Sequence, residues 1–128
     1  MKRDVSVVFS APWHKLLGTK ISEDSLELEV EEKHLQILGF VHGGVIASLL
    51  DTAIGLAINT TSDKIFVTSQ LNVHYLKPVK SGKIVAKAKV LRIGEKSAVG
   101  YAEAYNNGEL VAFATATFIS YHEPTSHR

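Results

Sequence analysis

The sequence contains no cysteine, which excludes disulfide bridges, thiolate metal sites and a cysteine nucleophile together. It carries no excess of either charge: 14 Lys and Arg stand against 13 Asp and Glu, a formal net charge of +1. A nucleic-acid partner would require a basic stripe or a markedly high pI, and neither is present. Long apolar runs are missing too. The longest, around residues 45–58, is broken by Ser48, Asp51 and Thr52 and is too short and too polar for a bilayer span. At the N-terminus Lys2 and Arg3 precede a short apolar run interrupted by Asp4, Ser6 and Ser10, which makes a poor signal peptide. These absences lead us to expect a soluble, cytoplasmic protein with no membrane and no nucleic-acid partner.

What remains is ordinary globular usage, 45% hydrophobic and 21% charged over 128 residues. That length holds one core and leaves no room for a second. The expectation is a single domain over 1–128, with 1–18 an N-terminal segment carrying a short helix and 122–128 a loose tail.

Residues 11–17 read as one or two helical turns, with Pro12 at the start and Gly18 at the end. Leu26, Leu28 and Val30 alternate with Glu27, Glu29 and Glu31, the pattern of a strand with one wet face. From Gly43 to about Asn59 apolar residues cover nearly the whole helix circumference, as in a helix buried on all sides. Strands follow at 64–76, 83–93, 97–105 and 109–121, separated by Pro78 and Gly82, by Gly94 and by Asn107-Gly108, a strong hairpin signal. In the third, Ala98, Gly100, Ala102 and Ala104 share one face; in the last, Ala112, Ala114 and Ala116 do. Such rows let a helix approach a sheet closely. The expected class is α+β: a long central helix wrapped by a five- to six-stranded antiparallel sheet.

Two features carry chemistry. Gly43 and Gly44 open the long helix, where the first N–H groups lack intrahelical partners and lie at the positive end of the macrodipole. Such groups suit a carbonyl oxygen that gains negative charge, though a Gly-Gly pair also serves as a plain tight turn. Asp51 lies mid-helix among Leu49, Leu50, Ala53 and Ile54, where a carboxylate is costly to bury. It is either a positioned base or nucleophile, or one member of a polar strip with Ser48 and Thr52.

The run HLQILGFVHGGVIASLLDTAIGLAINT resembles the signature of hotdog-fold thioesterases of the phenylacetate-pathway (PaaI-type) family. Gly39, His42, Gly43, Gly44, Asp51 and Gly55 fall in register with it, Thr68 and Tyr75-Leu76-Lys77-Pro78 match the next strand and its turn, and the similarity covers roughly residues 24–121. The resemblance implies hydrolysis of an acyl-CoA thioester in a homodimer or homotetramer, with no metal and no cofactor. It assigns the Gly43 N–H to the thioester carbonyl and His42 to orienting the thioester. Asp51, reaching across from the other subunit, is base or nucleophile. Gly39, Gly44 and Thr68 are placed with the substrate. The chain departs from the pattern at Gln36, where the family has Asn to hold water or the thioester; the extra methylene shifts the amide by about one carbon–carbon bond. The alternative is a non-catalytic acyl-CoA binding module on the same fold.

Thr68 is open in another way. Strict alternation groups it with Gln70, Asn72 and His74, apart from the apolar row Ile65, Val67, Leu71 and Val73, as a solvated or subunit-facing residue. His14, His34, His74, His122 and His127 lack metal-ligand spacing and read as surface or packing residues. Lys77, Lys80, Lys83, Arg92 and Lys96 are either phosphate contacts for CoA or solubilising charges. Trp13 and Phe9 either cover the end of an acyl pocket or pack in the core.

Overall fold

The computed structural model describes residues 11–122, so Phe9, His127 and the ends of the chain lie outside the described residues. Pro12–Leu17 form α1, closed by Gly18 in the left-handed region at φ 83°. A hairpin of β1 (Lys20–Ser22) and β2 (Ser25–Glu29) follows, then a 3-10 turn at Glu32–His34 and the long helix α2 (Gly43–Thr61). The remainder is β3 (Ile65–Tyr75), β4 (Lys83–Ile93), β5 (Ser97–Asn106) and β6 (Glu109–Tyr121). All six strands join one antiparallel sheet in the order β1-β2-β4-β5-β6-β3. This is the α+β arrangement expected. β1 escaped the sequence pattern because three residues are too few to display a period.

Alternation decides the buried face of β2, where Leu26 and Leu28 are buried and the glutamates beside them are not. It also decides β5 and β6. Ala98, Ala102, Ala104, Ala112, Ala114 and Ala116 lie buried beneath α2. The approach is tightest at Gly100, where an added Cβ would lie 2.5 Å from Ile54 Cγ2. At Gly55, on the helix side, the nearest atom of Phe118 would be 3.3 Å away.

The helix is not buried on every side within one chain. Ile46, Leu49, Leu50, Ala53, Ile54 and Ile58 are buried, whereas Val45, Leu56 and Ala57 are only half-buried. A single sheet layer covers one side of a cylinder and leaves the other to something else.

β3 also departs from strict alternation. Thr68 pairs with Phe118 and Gln70 with Thr117, so Ser69 is extra, a β-bulge. Paired residues share a face. Phe66 and Thr68 before the bulge, and Leu71, Val73 and Tyr75 after it, therefore form the helix-facing row, the last four opposite Phe118, Ala116, Ala114 and Ala112. Ile65 and Val67, expected in the apolar row, point away and are 49% and 42% exposed. Thr68 is thus turned towards α2, not grouped with Gln70, while it remains exposed as expected.

The Gly100 contact yields a stability prediction. Ile54 is fully buried and branched at Cβ, so Gly100→Ala is expected to destabilise the fold by about 1–3 kcal/mol through overpacking. The check is the urea midpoint at unchanged slope. A midpoint equal to wild type would show that this contact does not set the helix-to-sheet distance.

Candidate functional site

The start of α2 is held by a chain of hydrogen bonds. Buried His34 donates from Nε2 to Leu17 O at 2.8 Å and accepts the Glu31 N–H at Nδ1 at 2.9 Å. Its own carbonyl accepts the His42 N–H at 2.8 Å, and Val41 N–H donates to Val79 O at 2.7 Å. His34 therefore has the packing role expected from its spacing, and it ties α1, the 3-10 turn and the residue before the helix together. His42 is the N-cap: its Nδ1 accepts the Gly44 N–H at 2.8 Å, and its carbonyl accepts the Val45 N–H at 2.9 Å. An Nδ1 that accepts leaves the ring proton on Nε2, and the ring is exposed. The Gly43 carbonyl accepts from Tyr75 Oη at 2.6 Å. Among the described residues the Gly43 N–H has no hydrogen-bond partner. It is a donor at the positive end of a 19-residue helix with its neighbours already committed.

Gln36 and Gly39 form the turn before the helix. Gln36 N–H donates to Phe40 O at 2.7 Å, and Gly39 N–H to Gln36 O at 2.9 Å. Gly39 sits at φ 88° with nothing within 4 Å of an added Cβ, so glycine is needed there for backbone angle and not for space. The Gln36 side chain accepts the Leu38 N–H through Oε1. That bond closes the turn through the side-chain oxygen and leaves the amide nitrogen without a partner among the described residues.

Asp51 is half-buried on α2, and its Oδ1 accepts from Thr68 Oγ1 at 2.8 Å. Burial raises its pKa above the usual carboxylate value, and the Thr68 hydrogen bond pulls the other way. Among the described residues no cation neutralises it. The bulge at Ser69 brings this pair together, a signal that strict alternation hides.

Two concavities flank the helix tip. One, of about 330 Å³, is lined by Gln36, Phe40, Gly43, Ile46, Tyr75 and Val79 among others. The second, of about 300 Å³, lies on the His42 side between Trp13, Leu16, Leu17, Leu35, His42 and Val45. Trp13 is 50% exposed, a wall of that concavity and not a core residue. Lys77 pairs with Glu109, Lys83 with Glu27 at 3.3 Å, and the Lys80 ammonium lies 5.4 Å from the centre of the Phe40 ring. No three His, Asp or Glu side chains converge as a metal site among the described residues.

Comparison with known proteins bears on this geometry. Residues 38–113, which contain Gly39, the whole of α2, β3, β4 and β5 and the start of β6, match the thioesterase superfamily. The chain is 32% identical over 142 aligned positions to the medium/long-chain acyl-CoA thioesterase YigI of Salmonella typhimurium, covering 88% of this chain and 87% of that protein. Among solved structures, the E. coli PaaI protein from the phenylacetic acid degradation operon superposes with a TM-score of 0.83 at 25% identity, over 91% of this chain and 89% of that one. The BH2602 protein of Bacillus halodurans, solved with CoA, gives 0.77 at 33% identity, covering 83% and 75%.

The environment of Asp51 makes a prediction that needs no substrate. Because burial raises its pKa in the folded protein, the native state holds more protons than the unfolded one between the two pKa values, and stability falls as pH rises through that window. Asp51→Asn keeps an acceptor for Thr68 and removes this cost. The variant is expected to melt above wild type at pH 7 to 8, with the difference closing as pH falls to about 4, the usual carboxylate range. A gap that is absent or widens on acidification would show that the carboxylate is not penalised by burial.

Proposed function

Because the chain belongs to the thioesterase superfamily, we propose that it hydrolyses acyl-CoA thioesters, with the Gly43 N–H and Asp51 as the two working groups. The observation that carries this reading is the half-buried carboxylate of Asp51, which among the described residues is held by Thr68 alone and has no cation beside it. A charge kept there at a cost to folding is best explained by use as a base or nucleophile.

The two groups do not serve one carbonyl within one chain. Eight helical residues separate Gly43 from Asp51, about 12 Å along the axis, whereas attacking and stabilising groups must both lie within about 3 Å of the reacting atoms. A homodimer, alone or paired into a tetramer, resolves this by presenting Asp51 of one subunit to the helix tip of the other.

In the base version, Asp51 takes a proton from water as the water oxygen bonds to the thioester carbon. The carbonyl oxygen becomes an oxyanion and accepts the Gly43 N–H. Collapse of the tetrahedral intermediate breaks the C–S bond, and the departing CoA thiolate takes up a proton. In the nucleophile version Asp51 itself bonds to the carbon, the C–S bond breaks and CoA leaves as the thiolate, and water then cleaves the anhydride to free acid and the Asp51 carboxylate. His42, with its Nε2–H turned to solvent, orients the thioester, and Gln36 offers its amide nitrogen in place of the family's Asn. Gly44 has its N–H committed to His42, so it serves by leaving the tip bare. The apolar lining beside Gly43 suits an acyl chain, and YigI, named for medium and long chains, sets the range to try first. Lys80, whose ammonium lies 5.4 Å from the centre of the Phe40 ring and has no carboxylate partner among the described residues, is the candidate contact for CoA phosphate.

The test is thiol release over a panel of aryl-acetyl, short-, medium- and long-chain acyl-CoAs, with wild type and Asp51→Asn. The expected loss in the variant is at least about 100-fold in kcat, the scale of a general base. Thr68→Val should move the acid limb of the pH–rate profile to higher pH, because the lost hydrogen bond is the one that lowers the Asp51 pKa. Equal rates in wild type and Asp51→Asn would remove Asp51 from the mechanism, and binding without turnover in wild type would favour the acyl-CoA binding module.

A further inference from the structure

The peptide joining Gly43 to Gly44 is gripped at both ends. Its carbonyl accepts from Tyr75 Oη at 2.6 Å, and its N–H donates to His42 Nδ1 at 2.8 Å. A third contact is steric. A Cβ on Gly43 would lie 3.2 Å from Tyr75 Oη and 3.3 Å from its Cζ, so the phenol sits hard against the bare α-carbon. Tyr75 reaches this position because it belongs to the helix-facing row of β3 and stands opposite Ala112, whose small side chain leaves room for the ring.

This grip falls where the backbone would otherwise be loosest. Two consecutive glycines have the widest choice of angles of any pair, and a helix terminus lacks the hydrogen bonds that hold a helix interior. An amide that is to stabilise developing charge does so best when it is already aimed and needs no reorganisation during the reaction. The peptide before Gly43 is held as well, through the Val45 N–H on the His42 carbonyl. With its own peptide and the one that follows both fixed, the Gly43 N–H is left with one direction.

We propose that Tyr75 is a positioning residue for thioester hydrolysis: its hydroxyl clamps the Gly43–Gly44 peptide against His42 and so aims the adjacent, unpaired Gly43 N–H at the substrate carbonyl. The inference rests on the reading of Gly43 as oxyanion donor given above. Tyr75 touches no reacting atom in this account, and its ring doubles as a wall of the concavity beside Gly43. The clamp also gives a reason for glycine at position 43, since a methyl group there would crowd the phenol and shift it by a few tenths of an ångström.

Tyr75→Phe in the full chain keeps the wall and removes the clamp. Two readouts are needed: steady-state kinetics on the best acyl-CoA substrate, and hydrogen exchange of the Gly44 amide followed by NMR without substrate. The expected result is Gly44 exchange about tenfold faster and kcat about tenfold lower, the scale of one hydrogen bond, with KM unchanged. Gly43→Ala should show the same pair of changes. Gly44 exchange at the wild-type rate in Tyr75→Phe overturns the clamp, whether or not any thioester is turned over. Faster exchange with wild-type kcat, or a rise in KM with kcat preserved, overturns its link to catalysis. Faster exchange in a protein whose wild type releases no thiol refutes the hydrolase reading, and with it the catalytic half of the proposal, while the clamp stands.

Discussion

The distance between α2 and the sheet is set largely by side-chain atoms that are absent. Beneath the helix lie Ala98, Gly100, Ala102 and Ala104 on β5 and Ala112, Ala114 and Ala116 on β6, and at Gly100 even a methyl group would meet Ile54 at 2.5 Å. The helix therefore sits low, with Leu49, Leu50, Ile54 and Ile58 sealed against the strands. A helix seated this closely cannot roll without overlapping its bed. Its register in turn fixes the functional groups. Asp51 follows directly on buried Leu50, and a rotation by one residue, about 100°, would carry it away from Thr68. The 2.8 Å bond between them is a consequence of the alanine rows on the next two strands of the sheet.

The same seating fixes the tip. Turned out of the sheet, the first turn of α2 would be two glycines in water. Here it is tied to β3 through Tyr75, to the 3-10 turn through His34 and His42, and by way of His34 to the end of α1. Four segments distant in sequence meet at one helix end and satisfy nearly every polar group on it. The exception among the described residues is the Gly43 N–H, the donor proposed for the substrate carbonyl. Asp51 follows the same logic with opposite sign, as a charge that burial penalises and a single hydroxyl partly compensates. Both groups are held in states that folding alone does not favour, which is how reactive groups commonly differ from structural ones.

Much of this was legible in the sequence wherever a periodic pattern ran unbroken. β4, β5, β6 and α2 follow from alternation, turn residues and apolar content, and the alanine rows announced the close packing. The pattern failed where the backbone breaks period. One extra residue at Ser69 reverses the faces on either side of it, so Thr68 was grouped with the wrong row, and Ile65 and Val67 were expected inside. Tyr75 was within reach: alternation already put it on the side of Leu71 and Val73, but nothing in the linear order places its hydroxyl on Gly43. His34 could be read only as a non-ligand, because its partners Leu17 and Glu31 meet it through the tertiary fold. The free Gly43 N–H is likewise invisible in sequence, since it is defined by which neighbouring donors are already taken.

β3 is the strand on which these threads converge. Among the described residues it lies at the edge of the sheet, paired only with β6, and its other side offers the backbone groups of an 11-residue strand. Soluble proteins seldom leave an edge of that length uncovered, least of all one flanked by exposed apolar side chains such as Ile65, Val67 and Ile119. The half-covered flank of α2, with Val45, Leu56 and Ala57 only partly buried, calls for cover in the same way. The strand that most needs a partner is also the strand whose Thr68 holds the carboxylate and whose Tyr75 holds the helix tip. Asp51 cannot reach its own helix tip, about 12 Å away along a rigid rod. A second copy laid against β3 would satisfy the edge and bring each carboxylate towards the other chain's glycines. On that view, dimerisation and catalysis are one structural requirement of this strand, and a change that frees the edge should cost activity before it costs the fold of the subunit.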